Sequence, residues 1–325
     1  MGLLIEGKWH DRWYDTSESG GHFVRVDAAF RDWVTTDGSS KFPAQPGRYI
    51  LYASLACPWA HRALIFRKLK KLEEVIEIAI VDPYMGDQGW HFSDGPGCSP
   101  DTANGFDYLY QIYIQEMPDY TGRVTVPVLF DKVTRRIVNN ESAEIIEMLN
   151  SAFDAFGDAS VNFFPIELRG KMDALDAVIY DQINNGVYKA GFATGRVAYE
   201  KSFDALFVAL DQLEARLSRR RYLHGERITA SDWRLFTTLV RFDAVYYSHF
   251  KCNLRRVMDY PNLFGYLREL YQVPGVAETV NMEHIKTHYY ASHPTINPSR
   301  IVPKGPLLDF DAKPNREHVG DKHGF

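Results

Sequence analysis

The stretch Arg48-Tyr-Ile-Leu-Tyr-Ala-Ser-Leu-Ala-Cys57-Pro58-Trp-Ala-His-Arg62 decides the fold. An apolar, β-leaning run from Tyr49 to Tyr52 leads through small residues to Cys57, and a helical pattern then continues through Leu72. Proline is favourable in the first turn of a helix, because its missing N–H would lack a helical partner there anyway. The sequence therefore predicts Cys57 at or just before a helix N-terminus. The free N–H groups and the helix dipole at that place stabilise a thiolate and lower the thiol pKa from about 8.5 toward neutrality.

The residues that follow continue the α/β pattern. Apolar side chains recur at helical spacing up to Leu72, and Val75–Val81 then reads as a second strand, so the pattern predicts a βαβ unit with parallel pairing. Residues 82–122 form an unusually long connection, which is typical of functional loops. A strand over residues 123–130, a partner strand over 135–139 and a helix over 143–150 are expected next.

The second half of the chain has helical periodicity. Helices are predicted over residues 166–183, 199–217 and 262–271, and Thr229-Ala-Ser-Asp232 has the spacing of a capping box before the apolar run 235–245. The predicted organisation is an N-terminal extension over 1–45, an α/β domain over 46–154, a linker near 154–164, an all-helical domain over 165–290 and a tail over 291–325.

Composition excludes several classes of function. The 325 residues are 45% hydrophobic and 24% charged, with a net charge of −5, which gives no reason to expect a nucleic acid or an anionic membrane as partner. No apolar run approaches 18 residues, and the N-terminus does not read as a signal peptide. Three cysteines, far apart and odd in number, argue for a reducing compartment, so a cytoplasmic location is expected.

Four blocks of sequence carry a resemblance to a known family. They are Leu55-Ala-Cys57-Pro58-Trp-Ala-His-Arg62, Gly122-Arg-Val-Thr-Val-Pro127, Asn140-Glu-Ser-Ala-Glu-Ile145 and Asn184-Asn-Gly-Val-Tyr188-Lys-Ala-Gly-Phe-Ala193. With them the chain resembles the glutathionyl-hydroquinone reductases, also called Xi-class glutathione transferases, over nearly its whole length. The resemblance implies a thioredoxin-like N-terminal domain plus an all-α C-terminal domain. It also implies glutathione as co-substrate, glutathionylated hydroquinones as substrates, no metal, and a homodimer built through the helical half.

Cys57 is the candidate nucleophile. A free cysteine is often a small buried hydrophobe instead, but the helix start at Pro58 favours a reactive thiolate. Ala60 stands where a C-x-x-C motif would place its second cysteine, so an external thiol must resolve any mixed disulfide, and the resemblance implies that this thiol is glutathione. Cys98 and Cys252 look incidental.

The resemblance assigns a group of residues to the glutathione site: Trp90, Arg123, Val124, Pro127, Glu141 and Ser142. Each has a plainer interpretation from the residues alone. Pro127 is either a cis-proline that exposes the Val126 backbone to the ligand or an edge-strand proline. Glu141 and Ser142 either hold the γ-glutamyl group or simply cap a helix, and both can be true together. Trp90 is otherwise a loop anchor, and Arg123 a solvated charge at a strand end.

Tyr188 and Tyr289 are the candidate phenols that hydrogen-bond a hydroquinone and help place a proton on its ring. Only the resemblance supports this role, because tyrosines in a helical domain are usually packing residues. His61 is expected to have a capping or domain-contact role rather than to act as a base. His284 and His288 have i, i+4 spacing but lack the third ligand of a zinc motif.

The resemblance thus implies reduction of glutathionyl-hydroquinones through a mixed disulfide between Cys57 and glutathione. The residues themselves support only thiol exchange, which leaves a glutaredoxin-like or dehydroascorbate-reductase-like activity open. A non-catalytic binding protein with the same fold is the remaining alternative, and it predicts a thiol of ordinary pKa.

Overall fold

A computed structural model describes residues 2–320, and short strands already form in the region predicted as an extension. Strand β1 (Leu3–Ile5) pairs antiparallel with β2 (Lys8–His10), while β3 (Val34–Thr35) pairs in parallel with β4 (Phe42–Pro43). Backbone pairing therefore contributes to the order of this region.

The strand–helix–strand predicted around Cys57 is confirmed. Strand β5 (Tyr49–Ala53) leads to helix α1 (Pro58–Leu69), and β6 (Glu77–Ile80) then pairs with β5 in parallel. All five residues of β5 are fully buried. A strand covered on both faces reads as a continuous apolar run, which explains why Tyr49 to Tyr52 shows no alternation.

The rest of this sheet is antiparallel. The next elements in the chain are helix α2 (Leu109–Glu116), strands β7 (Gly122–Arg123), β8 (Val128–Asp131) and β9 (Arg136–Asn139), and helix α3 (Ser142–Ser151). The strand order is β6-β5-β8-β9, with β8 antiparallel to both neighbours, and α1 packs against α3. This mixed sheet is the arrangement that the resemblance implied for the α/β domain.

The prediction of one strand over residues 123–130 is wrong. β7 pairs with β1 in one sheet, whereas β8 pairs with β5 and β9 in another. Pro127 lies between the two strands and has no N–H to donate to a ladder, so continuous pairing through this position is unfavourable. Residues of high β-propensity lie on both sides of Pro127, so the sequence pattern predicted one continuous strand. In the structure the two sides pair with different strands.

The second half of the chain is helical, as predicted. Its helices are α4 (Arg169–Val178), α5 (Gly186–Gly191), α6 (Arg196–Leu217), α7 (Ala230–Arg241) and α8 (Pro261–Tyr271). Single 3-10 turns cover Ile166–Leu168 and Val257–Asp259. The predicted capping box is confirmed, because Asp232 accepts hydrogen bonds from both the N–H and the hydroxyl of Thr229.

Two predicted helices end differently from their patterns. The helix expected over 166–183 passes into a π-helical turn at Ile179–Asn184, and the run 235–245 ends in another at Phe242–Tyr246. A wider turn inserts one residue into the helical spacing without breaking the run of apolar residues. Periodicity alone could not distinguish these turns from α-helix.

The chain divides into two compact units. The first contains residues 2–13, Asp27–Val161 and Thr279–Val302, and the second contains Tyr14–Val26, Asn162–Glu278 and residues 303–320. The last helix, α9 (Met282–Ser292), therefore belongs to the first unit, although the helical domain was predicted to extend to residue 290. Likewise, Tyr14–Val26 belongs to the second unit rather than to a separate extension.

Specific hydrogen bonds explain this division. Ser292 at the end of α9 accepts from the backbone N–H of Met85, and two histidines of α9 contact carbonyl groups of Pro83 and Pro96. In the second unit, the backbone N–H of Thr194 donates to the carbonyl of Gly21. Segments far apart in sequence thus join each unit through contacts that a local pattern does not record.

Candidate active site

Cys57 is the N-cap residue of α1, as predicted. Its backbone is extended, with φ −77° and ψ 121°, and Pro58 is the first residue of the helix. Its side chain is half-buried, whereas Cys252 is fully buried, so Cys57 is not a closed core residue. The sulfur lies 3.6 Å from the carbonyl oxygen of Val126, which follows β7 in the same unit. This thiol thus combines a helix N-terminus with a neighbouring stretch of backbone.

The Val126–Pro127 peptide bond is cis, as the ligand-binding interpretation of Pro127 requires. The alternative of an edge-strand proline is wrong. Pro127 immediately precedes β8, and β8 is flanked by β5 and β9 within its sheet. The stretch that the resemblance assigns to glutathione therefore lies directly beside the Cys57 sulfur.

Glu141 caps α3. Its carboxylate accepts a hydrogen bond from the N–H of Ala143 at 3.0 Å, and its own N–H donates to the side chain of Asn139 at 2.7 Å. Ser142 is buried at the first position of the helix. The capping interpretation is thus confirmed for Glu141. The cap uses one carboxylate oxygen of Glu141 as acceptor, and a carboxylate has further acceptor sites.

Sequence reasoning missed Arg62. Arg62 lies on α1 and is only 3% exposed. Its guanidinium lies 4.6 Å from the centre of the Trp59 ring and 3.4 Å from the hydroxyl of Ser142. The signal available in the sequence was the i, i+3 spacing of Trp59 and Arg62, which suits a cation–π pair on one helix face. A buried cation at the start of α3 adds a positive group where an anion is expected.

Trp90 and Tyr289 are brought together by a histidine. Trp90 is 6% exposed and stacks on His288 of α9, with ring centres 4.7 Å apart and planes 20° from parallel. Tyr289 is fully buried and meets His288 and His293 edge-on, at 5.3 Å and 5.6 Å. Residue patterns did not connect these side chains, because Trp90 lies in the long connection and the others lie on the last helix or directly after it.

Arg123 holds the N-terminal residues. Its guanidinium donates to the backbone carbonyls of Arg12, Trp13 and Gly2, at 2.7, 3.1 and 3.2 Å. The interpretation of a solvated charge is therefore wrong. Val124, the next residue, is buried. The assignment of Arg123 to the glutathione site stays a prediction.

Tyr188 lies on α5 in the second unit and is 8% exposed. The guanidinium carbon of Arg25 lies 5.0 Å from the centre of its ring, and Phe250 packs against it edge-on. Arg25 also donates to the side chain of Asn185 at 3.0 Å. The Asn-Asn-Gly-Val-Tyr block thus supplies both the ring and the polar anchor for a residue of the N-terminal region.

The remaining histidines have structural contacts. The Nε2 atom of His61 is 2.8 Å from the hydroxyl of Thr279, a residue of the same unit. His284 and His288 meet two different backbone carbonyls. Within residues 2–320, no three His, Cys, Asp or Glu side chains are grouped so as to hold a metal ion. Across the same range, no helix has both the length and the apolar character needed to span a membrane.

Comparison with known proteins identifies the family. The glutathione S-transferase N-terminal domain matches residues 56–152, and the C-terminal domain matches residues 196–269. The glutathionyl-hydroquinone reductase YqjG of Escherichia coli K12 is 52% identical over 324 residues, covering 98% of this chain and 99% of that protein. The glutathionyl-hydroquinone reductase PcpF of Sphingobium chlorophenolicum is 54% identical over 306 residues, covering 94% and 96%.

Solved structures agree with these matches. A Xi-class glutathione transferase from Natrialba magadii has a TM-score of 0.92 at 45% identity, covering all of this chain and 98% of that one. The glutathione-bound structure of YqjG has a TM-score of 0.90 at 50% identity, covering 97% and 99%. The predicted fold class is confirmed. The chain belongs to the glutathione transferase family and, within it, to the Xi class of the glutathionyl-hydroquinone reductases.

Proposed function

We propose that the protein reduces glutathionyl-hydroquinones to hydroquinones, with glutathione as co-substrate and Cys57 as the nucleophile. The observation that carries the proposal is the position of Cys57 at the N-terminus of α1, 3.6 Å from the Val126 carbonyl, in a chain over half identical to two such reductases. The positive end of a helix dipole favours the anionic form of a thiol, which is the form that attacks sulfur.

In the first step, the Cys57 thiolate attacks the glutathionyl sulfur of the thioether. A Cys57–glutathione disulfide forms, the carbon–sulfur bond breaks, and its electron pair passes to the aromatic carbon. That carbon takes up one proton, for which Tyr289 and Tyr188 are the proposed donors. The products of this step are the free hydroquinone and the glutathionylated protein.

In the second step, the thiolate of a second glutathione attacks the glutathionyl sulfur held by Cys57. Glutathione disulfide leaves and the Cys57 thiolate is restored, so two electrons pass from two glutathionyl sulfurs to the aromatic ring. Ala60 supports this order, because the chain has no cysteine at the position from which a C-x-x-C motif would resolve the disulfide.

The proposed glutathione site surrounds Cys57 with residues of its own unit. The backbone of Val124, Val126 and Pro127 would pair with the tripeptide as an added strand. Glu141 and Ser142 at the start of α3 would hold the γ-glutamyl amine and carboxylate, Glu141 by its charge and Ser142 by its hydroxyl and a helix N-terminal N–H. Trp90 would cover the ligand, and Arg123 would face its glycyl end.

Thiol transfer is the second candidate function. A single cysteine at a helix start with no partner cysteine suits exchange with any glutathionylated thiol, so a glutaredoxin-like or dehydroascorbate-reductase-like activity uses the same groups. A non-catalytic binding protein would leave the thiol with ordinary reactivity. The choice among these depends on whether a carbon–sulfur bond is broken.

The test compares Cys57→Ser with Cys98→Ser on a glutathionylated hydroquinone and on a glutathionylated thiol. We expect the unmodified protein and Cys98→Ser to release hydroquinone at the same rate, and Cys57→Ser to release none. Release that persists in Cys57→Ser would reject the role of Cys57. Exchange on the thiol substrate without hydroquinone release would favour the thiol transferase.

We also propose that the protein is a cytoplasmic homodimer that acts on small molecules rather than on nucleic acid or membrane. The net charge of −5 and three widely spaced cysteines support this setting. Analytical ultracentrifugation should give a single species of twice the chain mass. A monomer at micromolar concentration would reject the dimer.

A further inference from the structure

His288, a residue outside the proposed glutathione site, contacts both an aromatic ring and a backbone carbonyl. Its ring is 6% exposed and stacks on Trp90 at 4.7 Å. Its Nδ1 atom lies 3.0 Å from the carbonyl oxygen of Pro83. Because a carbonyl oxygen only accepts, Nδ1 carries the proton in this contact. One face and one edge of the imidazole are therefore fixed.

Trp90 depends on such a neighbour. Its backbone carbonyl accepts a hydrogen bond from the N–H of Leu109 at 3.0 Å, which fixes the main chain of the connection but not the side chain. The second side-chain torsion of a tryptophan has a broad energy profile, so the plane of its indole is set by what packs against it. His288 supplies a flat ring at stacking distance, 20° from parallel.

We propose that His288 is a positioning residue for glutathione, acting through Trp90. This inference rests on the proposed function, which places Trp90 at the glutathione site. The imidazole sets the plane that Trp90 presents to the ligand, and the bond to Pro83 holds the imidazole in place. The same ring meets Tyr289 edge-on, so α9 contributes an ordered aromatic group within the first unit.

The chain contains a matched control for this proposal. His284 lies one turn earlier on α9 and is also buried, and its Nε2 atom is 2.7 Å from the carbonyl of Pro96 in the same long connection. Both histidines therefore tie α9 to that connection, but the stack on Trp90 belongs to His288. If tying the connection were the whole role of His288, removing either tie would have the same effect on ligand binding.

The experiment measures the dissociation constant of reduced glutathione by calorimetry, with every variant made in a Cys57→Ser background to prevent covalent exchange. His288→Asn keeps an N–H near the position of Nδ1 but removes the ring. His288→Phe keeps a flat ring but removes the donor. His284→Phe removes only the other tie, and thermal unfolding of each variant verifies that it is folded.

We expect His288→Asn to weaken glutathione binding about five-fold, the size of one lost aromatic stacking contact. His288→Phe should restore affinity to within about two-fold of the parent, and His284→Phe should leave it unchanged. Unchanged affinity in His288→Asn would overturn the proposal. An equal loss in His288→Asn, His288→Phe and His284→Phe would also overturn it, because it would show that only the tie to the connection matters.

These outcomes are separable from the proposed function. If the protein carrying Cys57 releases hydroquinone but substitutions of His288 leave glutathione affinity unchanged, the positioning role is rejected and the reductase activity is retained. If glutathione affinity follows the His288 pattern but no hydroquinone is released, the positioning role stands and the reductase activity fails.

Discussion

The sulfur of Cys57 lies 3.6 Å from the carbonyl oxygen of Val126, the residue that forms the cis peptide bond with Pro127. Two opposing influences meet at this sulfur. A contact with a carbonyl oxygen favours the protonated thiol, whereas the N-terminus of α1 favours the thiolate. The proposed chemistry requires that the helix N-terminus prevails.

The three cysteines allow an internal test of thiol reactivity. Burial and the charge of Asp82 raise the pKa of Cys98, despite its hydrogen bond with Ser93, and burial raises the pKa of Cys252 strongly. We expect iodoacetamide at pH 7 to modify Cys57 first, Cys98 more slowly and Cys252 only on unfolding. Peptide mass spectrometry over time measures the order. Modification of Cys98 before Cys57 would reject a thiolate stabilised by the helix.

Lys70 at the end of α1 forms an ion pair in which the lysine is buried and the acid is partly exposed, so its two members affect stability unequally. Its ammonium is fully buried and contacts Asp154 and the carbonyl of Val161, both at 2.7 Å, while the Asp154 side chain is 41% exposed. Removing the acid leaves the buried ammonium without its counter-ion, which lowers the free energy of unfolding by about 3 to 5 kcal/mol. Removing the lysine leaves the Asp154 carboxylate partly exposed, so water can solvate it.

We therefore expect Asp154→Ala to lower the free energy of unfolding more than Lys70→Met does, the latter by about 1 to 2 kcal/mol. Urea unfolding measures both values. Equal losses, or a larger loss for Lys70→Met, would show that the lysine is not held by Asp154.

Arg25 is expected to hold the N-terminal region on the second unit. Its guanidinium lies 5.0 Å from the Tyr188 ring centre and 5.3 Å from that of Phe23, and it donates to Asn185. Arg25→Met keeps much of the stem but loses the charge and the donor, for an expected loss of about 1 to 2 kcal/mol.

Because these contacts are local, the loss should appear as faster cleavage at residues 14–26 in limited proteolysis, with little change in global unfolding. Lys171→Met, on α4, serves as a control for removing an exposed cation elsewhere in this unit. Unchanged cleavage in Arg25→Met would contradict the proposed anchoring.

Two buried groups of the second unit should give opposite pH dependences. Burial raises the pKa of Asp243 to about 6, although the N–H groups of Val257 and Met258 donate to it. Burial, with a smaller effect of Lys251, lowers the pKa of His249 to about 4. An unfolded aspartate ionises near pH 4 and an unfolded histidine near pH 6.5.

The signs follow from which state binds more protons. Asp243 keeps its proton longer in the fold, so its contribution to stability is lost as the pH rises from about 4 to 6. The unfolded chain protonates His249 first, so that contribution is lost as the pH falls from about 6.5 to 4. Between pH 7 and pH 5, each effect amounts to about 1 to 2 kcal/mol.

On acidification from pH 7 to pH 5, His249→Phe should therefore gain stability relative to the unmodified protein, and Asp243→Asn should lose it. Urea unfolding at the two pH values provides the measurement. Shifts of the same sign in both variants would contradict these assignments.

The sequence was most informative where local chemistry determines structure. Pro58 predicted the start of α1, and Thr229 with Asp232 predicted the start of α7, because capping residues act on their own helix. The buried strand β5 was predicted from its continuous apolar run, since a strand covered on both faces has no polar side.

Long-range contacts account for what the sequence did not predict. The pairing of β7 with β1 divided a single strand pattern, and hydrogen bonds to Pro83 and Pro96 placed α9 in the first unit. The burial of Arg62 depends on Trp59 and Ser142 together. Apart from Trp59, none of these partners is close in sequence to the residue that it contacts. The spacing of Trp59 and Arg62 suits a contact, but it identifies one only once Arg62 is known to be buried.

The most direct test of the central proposal is the intact mass of the protein after reaction with a glutathionylated hydroquinone in the absence of free glutathione. We expect one glutathionyl group on Cys57, mapped by peptide analysis, and one equivalent of free hydroquinone in solution. Hydroquinone release from a protein that never carries glutathione, or an adduct that retains the aromatic ring, would contradict attack by Cys57 on the glutathionyl sulfur.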